Sequence, residues 1–267
     1  MKLLKDLFFR YAAYLSAKSI VLVAWLRANM RIVAGLWLAF AALAAILRFS
    51  SAATPTGTFA QAWPIVLAYS LIIAAPLCGY LVASHAFPEG EERERLDFNL
   101  AFVGRWRALA PAQARANPFY GPTGLMASVL MGMMLTVFFR AGEFFLSIPA
   151  IGATGPAWAQ ALFGLMAFDA AMVGFFYMVA FVMAIRAVPL FPRMLVFAWL
   201  LDVSLQLFVA SRLGPMASLP GTVSEPLHAL ISGNITKVLI GATIWLPYLI
   251  LSERVNVTYR RRSYIAS

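Results

Sequence analysis

Six long apolar stretches, separated by connections whose basic residues fall almost entirely in every second one, leave this 267-residue chain few ways to fold. A hydrocarbon core of about 30 Å takes roughly 20 apolar residues as a helix, because no water is there to satisfy the backbone. The apolar runs predict spans over Arg31–Leu47, Ala60–Ala86, Thr123–Ser147, Ala157–Ala184, Met194–Leu213 and Leu227–Ser252, the first being the shortest. Pro64 and Pro76 lie inside the second and are expected to kink it. Hydrophobic residues make up 62% of the chain and charged residues 12%, which excludes an ordinary soluble domain. The fold class is therefore an all-α polytopic membrane protein with about six transmembrane helices.

Charge orients the spans. Residues 1–31 carry six Lys and Arg, the connection 87–122 carries five, the turn after the fourth span has Arg186 and Arg193, and the tail has Arg254 and Arg260 to Arg262. Together these hold seventeen of the twenty-one basic residues, whereas the opposite connections keep Arg48, Arg212 and Glu225. The positive-inside rule then places both termini in the cytoplasm, and an odd number of spans would break the alternation. The net charge of +10 marks a membrane surface facing anionic headgroups, not a nucleic-acid partner. No cleavable signal peptide is expected, and the lone Cys78 cannot form an internal disulfide.

The chain divides into a membrane-surface segment (1–30), two spans (31–86), a cytoplasmic connection (87–122), four spans (123–252) and a basic tail (253–267). Leu3, Leu4, Leu7, Phe8, Tyr11 and Leu15 recur at helical spacing, predicting an amphipathic helix on the membrane or a docking helix. In the connection, Phe98, Phe102, Trp106 and Leu109 form an apolar stripe after the charged block that includes Glu91, Glu92 and Arg93. That pattern predicts a second amphipathic helix, lying on headgroups or offering a partner-binding surface.

Ionisable residues inside spans are costly and invite a partner or a water-filled path. Arg140, Glu143, Asp169 and Lys237 fall in one layer of the outer half, with Asp202 nearer the midplane and Gln206 one turn beyond it. Two arrangements are open. Ion pairs between helices would join Asp169 to Lys237 or Arg140, with Arg140 and Glu143 three residues apart on one helix. A proton or solute path would use Asp202 as an isolated acid, hydrogen-bonded by Gln206. Gly124, Ser128 and Gly132, and Gly233 and Gly241, predict close helix packing. No P-loop, GxSxG, HExxH or histidine-rich cluster is present, since His85 and His228 are the only histidines. No catalytic, cofactor-binding or metal-binding residue is expected, and no cofactor.

The last span ends in IWLPYLILSERVNVTY, residues 244–259. Trp245, Tyr248, Ser252, Arg254 and Thr258 suit anchoring at the interface, but their strict spacing exceeds what anchoring needs and suggests a local hydrogen-bonded structure or a docking motif. The string, with Pro247, Val255 and Tyr259, resembles the closing signature of the DUF2569 family of small bacterial membrane proteins. FVMAIRAVPLFPRMLVF, 181–197, is similar to that family's basic, proline-containing turn. The resemblance covers about residues 160–262 and implies a bacterial inner-membrane location and no reaction. The expected function is a non-enzymatic accessory, scaffold or assembly subunit, held in the bilayer with other membrane subunits or with itself. The alternative is a small proton-coupled transporter or permease using the intramembrane acids; an enzyme acting on lipid through Glu89–Asp97 ranks last.

Overall fold

The computed structural model describes residues 2–90, 105–216 and 219–265, with side chains from residue 16 onward. Its helices are α1 (Lys2–Ser50), α2 (Phe59–Ala86), α3 (Pro111–Ala116), α4 (Leu125–Ser147), α5 (Ala157–Ile185), α6 (Phe191–Leu213), α7 (Gly221–Leu251) and α8 (Glu253–Arg260). Six of them, all but α3 and α8, are long and apolar enough to cross a membrane. Two short strands, β1 (Trp106–Ala108) and β2 (Arg262–Tyr264), pair antiparallel with Trp106 opposite Tyr264.

α5 is the axis of the bundle because its sequence is apolar on every side, so it can be surrounded by protein. It packs against α2, α4 and α6; α7 packs on α6, and α1 on α2 and α4. In the most apolar stretch of α5, 72% of residues are buried, against 17% in α7 and 6% in α1, whose outer faces remain apolar and uncovered. α2 and α5 approach closely at Gly79, where a Cβ would collide with the Phe175 carbonyl. Pro76 and Gly174 meet one turn away.

α2 runs from Phe59 to Ala86, as the apolar run implies, and contains both Pro64 and Pro76. Other expectations gain detail or change. The boundary expected at residue 30 falls beside a break in α1: the backbone leaves the helical region at Asn29 (φ −118°, ψ 21°), where two helical stretches meet across a kink and the Asn29 amide donates to the Trp25 carbonyl at 2.9 Å. Val23, Leu26 and Met30 are buried in the core, so this stretch docks on the bundle. Gly132, Gly233 and Gly241 have nothing within 4 Å of where a Cβ would stand, so they do not bring helices together.

The connections gather at two ends. At the basic end, Arg186 donates to the Ser84 and Phe87 carbonyls, Arg27 to the Ile185 carbonyl, and Gly124 N–H to Ser19 Oγ. At the other end, Arg48 donates to the Leu146 and Ile148 carbonyls, and Ala53 N–H to the Ala150 carbonyl. The expected alternation of charged and bare connections is therefore a physical segregation.

α5 ends in a Schellman motif: Val188 N–H bonds the Met183 carbonyl at 2.9 Å and Ala187 N–H the Ala184 carbonyl at 3.2 Å. The left-handed position falls on Ala187 (φ 53°), a conformation usually left to glycine. This hairpin sets α6 against α5.

Candidate functional site

Two buried polar assemblies stand at different heights in the bundle. The first lies between α4, α5, α6 and α7. Counting about 1.5 Å of rise per residue from the basic end, Asp202 stands at about 16 Å, Lys237, Arg140 and Asp169 at about 21–24 Å, and Glu143 at about 27 Å. Arg140, Asp169 and Asp202 are all buried. Arg140 pairs with Asp202 and approaches Asp169 at 3.7 Å (Nε to Oδ2). Tyr177 Oη donates to Asp202 Oδ2 at 3.3 Å, and Gln206 Nε2 to Asp169 Oδ1 at 2.8 Å. Lys237 pairs with Glu143 across from α7 to α4. Asn234 lies between the two pairs; with its amide assigned so that both neighbours are satisfied, the nitrogen faces Glu143 Oε2 (2.9 Å) and the oxygen faces Arg140 Nη1. Asp169 Oδ2 and Gln206 Oε1 are buried without a hydrogen-bond partner.

These findings correct three expectations. Asp202 is not an isolated acid, because Arg140 pairs with it. Gln206 serves Asp169 instead of Asp202, its side chain reaching the neighbouring α5. Arg140 and Glu143 do not pair along α4, since each finds a partner on another helix.

This network walls a groove of about 530 Å³, within the range of ligand sites. Toward the basic end the lining is apolar, with Val129, Met133, Leu195, Trp199 and Trp245. Gly132, Thr136, Arg140 and Glu143 line one wall from α4, and Asn234, Lys237, Gly241 and Trp245 another from α7. Both sets follow helical spacing, so each wall was legible as a stripe of small and polar residues. Tyr177 and Trp199 carried no separate signal, being ordinary apolar-span residues until the helices met.

The second assembly closes the basic end. Ser252 alone separates α7 from α8, and Val255 to Arg260 are all buried. Arg254 donates to Thr123 Oγ1 at 2.6 Å, and Thr258 Oγ1 accepts Gly121 N–H at 3.0 Å. Tyr259 Oη donates to the Ala184 carbonyl at 2.9 Å, and burial pushes its phenol up from the usual range. Asn256 is the hub: its Nδ2 donates to the Ser252 and Ile250 carbonyls, and its Oδ1 accepts from Arg260 and Arg262. Burial, then the Arg262 and Arg193 charges, push the Arg260 guanidinium down to about 10, so it stays protonated at neutral pH. It also donates to the Leu249 carbonyl at 2.8 Å, where the C-terminal end of α7 favours a cation.

The strict spacing of the C-terminal string is thus that of a local hydrogen-bonded structure. Arg260 and Arg262 of the tail are buried and held by this local fold, while Ser252 and Arg254 are half-buried. Trp245 lines the groove and meets Tyr248 edge-on at 5.8 Å. Trp106, expected on a helix, sits in β1, with the Arg262 guanidinium 5.0 Å from its ring. Glu91, Glu92, Arg93, Phe98 and Phe102 lie outside the described residues. Among the described residues, no group of three or more His, Cys, Asp or Glu could hold a metal ion.

Comparison with protein-family models, curated proteins and solved structures finds no match to this chain. The likeness to DUF2569 rests on the strings quoted above.

Proposed function

We propose that this chain is a multi-pass protein of the bacterial cytoplasmic membrane, termini on the cytoplasmic side, that binds a small ligand between α4, α6 and α7 and moves it in exchange for, or together with, a proton. It performs no bond chemistry. The observation that carries this is the groove of about 530 Å³ with charged residues along its wall at membrane depth. A purely structural set of ion pairs has no need of an adjoining cavity. The charge count adds to it: Glu143, Asp169 and Asp202 face Arg140 and Lys237, one acid more than the bases. Net charge at this depth is costly, and one bound proton balances the cluster. The test is uptake into proteoliposomes under an imposed pH gradient, with Asp202→Asn and Asp169→Asn. Wild-type flux abolished in both variants at normal expression supports proton coupling; a flux indifferent to the gradient rejects it.

An accessory or assembly subunit is a second role, favoured by the wide uncovered apolar faces of α1 and α7. Recovery of a stoichiometric partner in a mild-detergent pull-down would support it.

A further inference from the structure

We infer that the groove is a lipid site, taking the head of a zwitterionic phospholipid, one ammonium and one phosphate, from the leaflet farther from the basic end. This rests on the ligand-binding part of the role proposed above but not on transport. Four observations converge on it.

The groove opens sideways. Leu135 and Phe139 on its α4 rim are exposed, and the Lys237 side chain on its α7 rim is 64% exposed. On helices that cross a bilayer, such a rim faces lipid, so a ligand enters from the membrane without passing through water.

The groove is also amphipathic along its length in the sense a lipid requires. Arg140, Glu143, Asn234 and Lys237 of its polar wall stand about 21–27 Å from the basic end, within about 6–10 Å of the far end of α4; Asp202 is lower, at about 16 Å, and most of the apolar wall lies below that. A lipid of the far leaflet has its head toward that end and its chains toward the midplane. Val129, Met133, Leu195 and Trp245 are where a chain would lie.

The poles of the polar wall match the head group. Lys237 and Glu143 form the more open pair, on opposite walls, and Glu143 is 30% exposed. Opening that pair presents a cation to the phosphate and a carboxylate to the ammonium, with Asn234 beside both. The groove-lining charges Arg140, Lys237, Glu143 and Asp202 cancel, which suits a zwitterion better than an anion.

Room is kept for it. Gly132 and Gly241 both line the groove, and no atom lies within 4 Å of a Cβ at either. A larger side chain there enters the groove without disturbing helix packing.

The experiment uses the full chain in phosphatidylglycerol nanodiscs containing a trace of photoactivatable phosphatidylethanolamine, with crosslinked peptides mapped by mass spectrometry. Labelling should concentrate on α4 and α7 and be displaced by unlabelled phosphatidylethanolamine, not by added phosphatidylglycerol. Gly132→Leu should abolish it with the thermal unfolding temperature unchanged. The double variant Glu143→Gln/Lys237→Gln should weaken competition at least about tenfold, because it removes both charged contacts to the head group, and about 1.4 kcal/mol is already tenfold. Its charge-neutral rim keeps the test informative if Gly132→Leu fails to fold. Labelling spread over the outer faces of α1 and α2, or unchanged in folded variants, or equally displaced by phosphatidylglycerol, overturns the inference. If labelling follows the expected pattern but no proton-coupled flux exists, the lipid site stands and the transport role falls. Proton-coupled uptake of a soluble zwitterion with no groove labelling leaves transport standing and removes the lipid site.

Discussion

The groove network and the C-terminal clamp each hold buried arginine, yet they are satisfied in different ways. In the clamp, Arg260 and Arg262 donate to Asn256 Oδ1, and Arg260 also to backbone carbonyls at the end of α7; the acceptors are neutral and held by the local fold. In the groove, Arg140 and Lys237 face carboxylates on other helices, beside a cavity, and Asp169 and Gln206 each keep a buried oxygen without a hydrogen bond. A network completed by neutral acceptors has one arrangement and serves stability. A network of ion pairs that borders open space can exchange partners and serves binding.

The sharpest test of this contrast is Arg140→Met, which leaves Asp202 and Asp169 facing each other without their cation. It should cost about 3–5 kcal/mol, read as a large fall in thermal unfolding temperature in detergent. Adding Asp202→Asn to it should recover much of that loss. A single variant as stable as the wild type would show that the charges are not paired as described.

Asn256→Ala comes next, at about 2–3 kcal/mol, because two buried guanidinium groups lose one acceptor together. Lipid labelling per folded molecule should be unchanged; a parallel fall would mean that clamp and groove are coupled through α7. Tyr259→Phe removes only the bond to the Ala184 carbonyl and keeps the ring against Phe191, so a loss of about 1 kcal/mol is expected. The smallest effect runs the other way. Ala187→Gly relieves a left-handed alanine at the α5 terminus and should stabilise by about 0.5–1 kcal/mol, seen as a modest rise in unfolding temperature.

Much of the bundle was legible in the chain because the bilayer demands long apolar helices. The observed α2, α4, α5 and α6 begin and end within three residues of the runs read from hydropathy. The boundary read near residue 30 falls beside Asn29, where α1 kinks; the Arg27 guanidinium just before it is answered by the Ile185 carbonyl, a contact that hydropathy does not carry. Trp106 and Leu109 fitted a helical stripe by spacing alone, but Trp106 pairs with Tyr264 from the far end of the chain, a contact no local pattern carries.

The candidate site divides in the same way. Arg140, Glu143, Asp169, Asp202 and Lys237 stood out as charges in apolar runs, and their heights followed from counting residues. Who pairs with whom did not follow, because residues at one height on different helices are all within reach until the packing order is known. Gly132 and Gly241 illustrate the limit: a small residue in a span either admits a neighbouring backbone or leaves a space, and both look alike in one dimension. Hydropathy and charge by themselves determined six long apolar helices and the segregation of basic segments, because solvation acts on each residue separately. Tertiary structure alone decided the helix order, the ion pairs, the clamp and the groove, because these depend on distances between residues far apart in the chain.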